Sequence, residues 1–479
     1  MCEPNGLKNR RRGKRDKSTT APFVHSTGSK VEDNLMSKPS STSLPKTLTL
    51  NPLLPSLENI SLMSILPILG TLLVLTCALL AYSGFRGRTT CIGIDLGTTF
   101  SVAAVRSEGG GIGRVEVVNG REGIVPSVVW YGEEGVVVGR KAREKVKVDS
   151  RNVIYNAKRF IGRDSISKSE WREFELVKSP PSTLSPYSFL TGSQKTISPE
   201  SVGSEIVKFL LNMTSVYLGH SQIKTAVISV PTKFNQKQRQ ATAEAFKMAG
   251  VKVTRILEEP EAAALAYGLV KKVGVNFILV YDFGGGTLDV SVLHVSEGYV
   301  EVMGSEGDEF LGGSDFDRVI MEKLVVDLEE VNGLVRNNNC QSVEGEEVVM
   351  CTVDDLYVIG EGLKIEISNI YENKNAVAKA ECVTYDSDCN PTTISLSLTR
   401  KEYDTITEPL FDRAATPIHD VLEKLELNPE DIDEVVMVGG TSRMPKVREI
   451  VKRELKKERL NVEIDPDVTV AFGCAEVID

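Results

Sequence analysis

The sequence carries the segment YDFGGGTLDV at residues 281–290. An apolar run delivers Asp282 to a glycine turn, and a second apolar run leaves that turn through Asp289. Consecutive glycines let the backbone approach a phosphate group closely, and successive free N–H groups form a nest for an anion. The segment therefore predicts a strand–turn–strand unit that binds phosphate.

A second copy of this pattern, IGIDLGTT, occupies residues 92–99. Either copy alone also fits an ordinary hairpin turn. Two copies far apart in one chain are much less expected from ordinary hairpins, and they predict a duplicated domain that holds one triphosphate between its halves. We expect Asp95 to lie beside the Mg²⁺ that accompanies the phosphates.

A third segment, MVGGTSRMP, spans residues 437–445 and precedes a predicted helix over 446–456. Paired glycines at the end of a strand allow a purine or ribose to lie against the backbone. We expect the hydroxyls of Thr441 and Ser442 to cap the helix. A plain strand–turn–helix unit is the alternative.

Short apolar runs alternate with helical patterns through the rest of the chain, which is typical of an α/β protein with binding loops at the strand ends. The predicted strands cover residues 115–118, 136–138, 277–282 and 435–438, and the predicted helices cover 207–218, 236–249 and 261–269.

Composition limits the class of protein. The chain has 479 residues, of which 41% are hydrophobic and 25% charged, and its formal net charge is −10. These values exclude a fully disordered chain, a collagen and a multi-span membrane protein. Nucleic acid is not an expected partner, because no basic excess is present.

The N-terminal part differs from the rest. Residues 1–60 are basic and lack apolar periodicity, so we expect a disordered tail. Residues 61–83 include an uncharged stretch about 21 residues long, which at about 1.5 Å per residue would cross a bilayer core of about 30 Å. This predicts a transmembrane helix, with a buried core helix or a cleaved signal peptide as alternatives, then a linker over 84–90 and the folded body over 91–479.

The orientation in the membrane stays open. The basic run between Lys8 and Lys17 favours a body on the luminal side of the endoplasmic reticulum, whereas Arg86 and Arg88 favour a body that faces the cytosol. We expect a single-pass membrane protein with a luminal body, and the membrane itself is then a partner.

The eight cysteines include no CxxC pair, so a zinc site is not expected. Four of them lie between Cys340 and Cys389. Spacing alone leaves both a disulfide and buried free thiols open in this stretch.

Together these motifs resemble the ATPase domain of the 70-kDa heat-shock chaperones, which has the two-lobed actin-like and hexokinase-like fold. The resemblance runs from about Cys91 to Val477 and includes two further motifs, LGGSDFD at residues 311–317 and DPDVTVAFG at residues 465–473. It implies binding and slow hydrolysis of ATP to ADP with Mg²⁺, with K⁺ as a further candidate ion. J-domain and nucleotide-exchange proteins are the implied co-chaperones.

The resemblance also assigns roles to individual residues. The implied catalytic residues are Lys158, Glu259, Asp282, Thr287 and Asp289, and the implied metal residues are Asp95 and Asp282. The residues implied to bind the nucleotide are Gly97, Thr98, Thr99, Gly284, Gly285, Gly286, Gly313, Glu361, Lys364, Ser368, Gly439, Gly440, Arg443 and Asp467.

The chain departs from the family pattern in three ways. Ile365 stands where an arginine usually covers the adenine ring, and Glu261 replaces a threonine, where it either alters metal or phosphate binding or faces solvent. The chain stops at Asp479, before the region in which the family carries its client-peptide groove, so we expect no direct groove for client peptides. This layout is similar to the microsome-associated stress-70 core branch of the family.

Two classes of function follow. One is a membrane-anchored ATPase that acts in protein folding or quality control through partners. The other is a nucleotide-gated binding module or scaffold with little hydrolysis. A small-molecule kinase of the same fold is disfavoured, because no stretch for recognition of a second substrate stands out.

Overall fold

The computed structural model describes residues 62–82, 89–107, 114–166, 174–331, 334, 349–385 and 389–478. The predicted tail over 1–60 and most of the predicted linker lie outside these residues. The helices in this part of the chain are α1 Leu62–Tyr82, α2 Arg140–Glu144, α3 Val146–Asp149, α4 Pro199–Leu218, α5 Gln236–Met248, α6 Glu259–Ala266, α7 Gly313–Glu330, α8 Val353–Asn369, α9 Arg400–Lys424, α10 Pro445–Leu455 and α11 Thr469–Glu476.

The strands fall into two lobes that follow one another along the chain. The first lobe contains β1 Cys91–Leu96, β2 Phe100–Ser107, β3 Arg114–Val117, β4 Val125–Pro126, β5 Val129–Gly132, β6 Gly135–Val138, β7 Val153–Ile154, β8 Leu176–Lys178, β9 Tyr187–Leu190, β10 Thr196–Ile197, β11 Thr225–Val230 and β12 Lys252–Glu258. The second contains β13 Phe277–Phe283, β14 Leu288–Ser296, β15 Tyr299–Asp308, β16 Val377–Tyr385, β17 Pro391–Thr399 and β18 Glu434–Val438.

The main sheets of the two lobes repeat one topology. In the first lobe β1 pairs antiparallel with β2 and parallel with β11, within the order β12-β11-β1-β2-β3. In the second lobe β13 pairs antiparallel with β14 and parallel with β18, within the order β15-β14-β13-β18. The predicted α/β class and the predicted duplication are therefore both present.

Two short helices, α6 and α11, pack between the main sheets. Small residues let them approach closely: a Cβ on Gly473 would lie 1.8 Å from the Ala262 carbonyl oxygen, and one on Gly93 of β1 would lie 2.5 Å from the Ala475 nitrogen. The core between the lobes is apolar and includes Val102, Val280 and Val436. This packing brings the ends of β1 and β13 to the same cleft.

The remaining elements of the second lobe surround the outer end of that cleft. Helices α7 and α8 pack together, and α8 also packs on the β16–β17 hairpin. A disulfide joins Cys351, which precedes α8, to Cys382 of β16, and Cys389 is also disulfide-bonded. Of the two alternatives left open for this cysteine-rich stretch, the structure thus shows disulfide pairing; Cys340 lies outside the described residues.

The membrane prediction is wrong. Among the described residues, no helix combines the length and the apolar character that crossing a membrane requires. The predicted transmembrane helix over 61–83 and the predicted single-pass location in the endoplasmic reticulum are both overturned by this finding.

Candidate functional site

The first turn predicted to bind phosphate follows β1. A Cβ on Gly97 would lie 2.1 Å from the Phe100 carbonyl oxygen, so the turn requires glycine at this position. The Ser127 hydroxyl donates to the Gly97 carbonyl at 2.8 Å, and the Ser229 hydroxyl donates to Asp95 Oδ1 at 2.9 Å. Both hydroxyls come from other strands or loops and hold the turn and its carboxylate in place.

The second turn connects β13 to β14 and faces the first. Asp282 and Asp289 lie opposite each other in this hairpin. A Cβ on Gly285 would lie 2.8 Å from Thr99 Oγ1 of the first turn, which shows how near the two turns are. The N–H of Gly313 donates to the Gly284 carbonyl at 3.1 Å. The start of α7 therefore lies on the second turn.

An ion pair lies between the turns. Lys158 Nζ is 2.6 Å from Glu259 Oε1, and only 7% of the lysine side chain and 17% of the glutamate side chain are exposed. Lys158 belongs to a 3₁₀ turn at Ala157–Arg159, and Glu259 is the first residue of α6. Packing of the main sheet of the first lobe thus brings together two residues that are distant in sequence.

The carboxylates around this pair have raised pKa values. Burial raises the pKa of Asp95 to about 6, although the Lys158 ammonium opposes the shift, and burial also raises the pKa of Asp282 well above its ordinary value. Burial alone would lower the pKa of Lys158, but the neighbouring carboxylates, led by Glu259, outweigh it and raise this pKa. Lys158 is therefore the cation around which Asp95, Glu259 and Asp282 are gathered.

Asp289 extends the acidic group towards the cleft opening. Burial raises the pKa of Asp289 to about 6, against the opposing effect of Lys233, whose Nζ lies 3.6 Å from Asp289 Oδ1.

Among the described residues, no group of three or more His, Cys, Asp or Glu side chains is arranged as a metal cage. Mg²⁺ usually keeps several waters and takes one or two carboxylates plus phosphate oxygens, so the pair Asp95 and Asp282 fits this ion.

The outer part of the cleft is built from α7, α8 and α10. Lys364 of α8 forms an ion pair with Asp317 of α7, with Nζ and Oδ1 2.7 Å apart, and it donates to the Gly313 carbonyl at 3.3 Å. The Ser368 hydroxyl donates to the Lys364 carbonyl at 2.7 Å. Ile365 is half exposed between these polar residues. This part of the cleft therefore offers both polar groups and an apolar face.

The opposite wall comes from the turn after β18. The Arg443 guanidinium donates to Asp467 Oδ2 at 2.8 Å. Gly439 has a φ of 78°, and a Cβ there would lie 2.4 Å from the Phe283 carbonyl oxygen. Thr441 and Ser442 do not cap α10 as expected; their hydroxyls donate to the carbonyls of Gly284 and Gly439, because the turn folds back on the second phosphate-binding turn.

All residues predicted for the site line one cleft of about 1020 Å³. It contains Asp95, Gly97, Thr98, Thr99, Lys158, Glu259, Asp282, Gly284, Gly285, Gly286, Thr287, Asp289, Gly313, Glu361, Lys364, Ser368, Gly439, Gly440, Arg443 and Asp467. These residues come from distant segments of the chain, and the fold brings every one of them to the same cleft.

Several cleft residues had no role assigned from the sequence. Arg143 contacts Glu361 at 3.3 Å across the cleft, Asp317 pairs with Lys364, and Arg159 contacts the second turn. The only local signal for Arg159 is that it follows Lys158 directly. Glu261 is a capping residue of α6 whose carboxylate accepts from the Glu258 N–H at 3.4 Å, so it neither faces solvent freely nor enters the phosphate site.

Comparison with known proteins gives a match to the Hsp70 protein family over residues 91–478. The chain is 37% identical over 388 residues to a chaperone protein DnaK of Cyanidioschyzon merolae, covering 80% of this chain and 60% of the relative. It is 39% identical over 390 residues to a chaperone protein DnaK of Prochlorococcus marinus, covering 80% and 58%.

The chain thus spans 60% and 58% of the length of these two relatives. The matched region contains both turns predicted to bind phosphate, the Lys158–Glu259 pair and the turn after β18. With a family match over most of its length and a cleft built from the expected motifs, the chain belongs to the Hsp70 family.

Proposed function

We propose that the chain binds Mg-ATP in this cleft and hydrolyses it slowly, as a chaperone-type ATPase. The observation that supports this best is the Lys158–Glu259 pair, which lies between two facing phosphate-binding turns. Phosphoryl transfer needs little covalent chemistry from a protein, because positioning and neutralisation of charge provide most of the catalysis. The Lys158 ammonium neutralises charge, and the glycine turns beside it position the phosphates.

The position of each cleft residue gives it a role in ATP hydrolysis. The backbone N–H groups of the two turns bind the phosphates, and the Lys158 ammonium holds the terminal phosphate. The Glu259 carboxylate, fixed by Lys158, orients the attacking water. Asp95 and Asp282 hold Mg²⁺, which neutralises phosphate charge when it is bound.

We further propose that partners read the nucleotide state. Co-chaperones with a J-domain, and nucleotide-exchange proteins, are the kinds of partner that suit a slow ATPase of this family. A cleft between two lobes changes shape with its contents, and such a change can be transmitted to a bound protein.

A second candidate is a nucleotide-gated binding module with little hydrolysis. Contacts that bridge the two lobes at the cleft opening favour it: Arg143 pairs with Glu361, and Lys147 pairs with Asp355. The apolar Ile365 in the nucleoside part of the cleft indicates weak retention of nucleotide, which would suit a reversible gate.

The test uses the full chain with labelled nucleotide. We expect Mg²⁺-dependent binding of ATP and ADP, slow release of inorganic phosphate, and faster release when a J-domain is added. Binding without phosphate release would favour the gated module over the ATPase. If neither nucleotide binds, both proposals are refuted.

A further inference from the structure

Two cations stand side by side in the 3₁₀ turn at Ala157–Arg159, and they point in different directions. Lys158 contacts Glu259 within the first lobe. Arg159 reaches the second lobe, where Nη2 donates to the Gly286 carbonyl at 2.8 Å and Nη1 donates to the Glu309 carbonyl at 2.9 Å. One short turn therefore carries both the central ion pair and a direct link across the cleft.

The two carbonyls belong to different layers of the second lobe. Gly286 lies in the turn between β13 and β14, and Glu309 follows β15 directly. The chain after Glu309 crosses over that turn, where the N–H of Ser314 donates to the Gly285 carbonyl at 2.9 Å. Arg159 therefore joins the first lobe to both layers of the phosphate-binding surface of the second.

The guanidinium of Arg159 occupies space that a side chain at position 286 would need. A Cβ on Gly286 would lie 2.6 Å from Arg159 Nη2, so a side chain at position 286 would displace the guanidinium. A guanidinium is planar, always charged and rich in donors, and so it can serve two carbonyls at once. A second arginine, Arg163, lies 3.9 Å from the Glu309 carboxylate and strengthens the same side of the bridge.

We propose that Arg159 is a positioning residue that holds the cleft closed over bound nucleotide and so slows the release of ADP. This inference rests on the proposed function. With two of its N–H groups donated to backbone carbonyls, Arg159 acts through the second turn and not as a ligand of phosphate. Opening of the lobes has to break both hydrogen bonds, whereas chemistry in the closed state leaves them in place.

The size of the effect follows from the bonds that are lost. A hydrogen bond donated by a charged group contributes more than a neutral one, and partial exposure reduces that contribution. Loss of the pair should speed ADP dissociation by roughly 10- to 100-fold, since about 1.4 kcal/mol corresponds to one factor of ten. The rate of hydrolysis of bound ATP should change much less, because Lys158 and Glu259 remain.

The experiment compares the full chain with three variants: Arg159→Ala, Arg159→Lys and the control Arg255→Ala. Arg255 pairs with Glu261 outside the cleft. ADP dissociation is followed by chasing fluorescent ADP with excess unlabelled ADP, and hydrolysis is followed in a single turnover with saturating ATP. Thermal unfolding of each variant checks that it is folded.

We expect the alanine variant at position 159 to lose ADP 10- to 100-fold faster. The lysine variant should be intermediate, because an ammonium cannot span both carbonyls, and Arg255→Ala should match the wild type. The proposal is refuted if ADP dissociates from a folded Arg159→Ala protein at a rate within twofold of wild type, or if Arg159→Ala slows single-turnover hydrolysis more than it speeds dissociation. If Arg159→Ala does not fold, the lysine variant decides on the same criteria.

If the proposed ATPase function is wrong, the binding and hydrolysis results differ from those that refute the role of Arg159. A wild-type protein that binds ADP without hydrolysing ATP refutes the ATPase but leaves the dissociation comparison decisive for Arg159. A wild-type protein that binds no nucleotide refutes both.

Discussion

Replacement of Lys158 by alanine should reduce ATP turnover at least tenfold. Its ammonium lies 2.6 Å from the Glu259 carboxylate and also faces Asp95 and Asp282. Loss of one preorganised donor in an active site costs about 10²–10³-fold in rate, or about 2.7–4 kcal/mol. Because the variant retains the backbone groups of both turns, we expect the larger part of the loss in the chemical step and the smaller part in binding.

The same change should lower stability. Removing one partner of a buried ion pair costs about 3–5 kcal/mol, and the Glu259 side chain is 17% exposed in an open cleft, so we expect roughly 1–3 kcal/mol. Asp95 and Asp282 would then lose the ammonium group that opposes the rise of their pKa values. Turnover therefore has to be measured well below the melting temperature of the variant.

The assay is phosphate release in a single turnover, together with equilibrium binding of ATP. Lys208→Ala is the matched control, because Lys208 is an exposed lysine on α4 that pairs only locally with Glu205. If a folded Lys158→Ala protein binds ATP and hydrolyses it at the wild-type rate, the assigned role of Lys158 is wrong. A tenfold loss in the control as well would show a general effect of lysine removal.

Three further predictions concern the second lobe. Ile365→Arg should tighten ATP binding by roughly 2- to 30-fold, because a cation above the adenine ring adds about 0.5–2 kcal/mol; calorimetry measures it. Burial raises the pKa of Asp317 to about 6, so its folded carboxyl holds a proton at pH values where the unfolded one is charged. The proton held by the folded carboxyl stabilises the protein at low pH, and this stabilisation is lost as pH rises from about 4 to 6. The unfolding free energy of the wild type should therefore fall over this range, and that of Asp317→Asn should fall by roughly 2 kcal/mol less, as measured by denaturant unfolding at each pH. Replacing both Cys351 and Cys382 by serine should lower the unfolding free energy by about 2–4 kcal/mol, because the disulfide closes a loop with a sequence separation of 31.

Each of these three predictions would be contradicted by a different result. Unchanged or weaker ATP binding by Ile365→Arg would show that the nucleoside does not stack at this position. An Asp317→Asn protein whose stability follows the wild-type pH curve would show that this carboxyl ionises normally. A serine double variant as stable as the wild type under oxidising conditions would show that the disulfide does not constrain the unfolded chain.

Strands and helices were predictable where short-range sequence patterns define them. The strand predicted over 277–282 is observed at Phe277–Phe283, and the helix predicted over 236–249 is observed at Gln236–Met248. Apolar runs, glycine turns and helix caps act over a few residues, so the sequence shows them directly. The helix predicted from residue 207 begins earlier, at Pro199, because its first turns bury the polar residues Glu200 and Ser204.

The N-terminal prediction failed for a related reason. Absence of charge along the sequence is a property of composition, and among the described residues no helix meets the requirements for crossing a membrane. The tail before this segment lies outside the described residues, so its predicted disorder stays a prediction. The departure at Glu261 was also undecidable from the sequence, because a carboxylate can serve as a helix cap, a metal ligand or a surface group, and only its neighbours distinguish these roles.

The sequence by itself determined the Asp–Gly–Thr turns, their duplication and the membership of the family, because these depend on residue types at short spacing. The tertiary structure decided which charges meet. Lys158 and Glu259 are 101 positions apart, and Arg159 and Gly286 are 127 apart. Their distances depend on how two sheets pack around α6 and α11, and no local pattern encodes that closure. The same packing raises the pKa values of the site carboxylates, because burial is a property of the assembled cleft and not of the segments that line it.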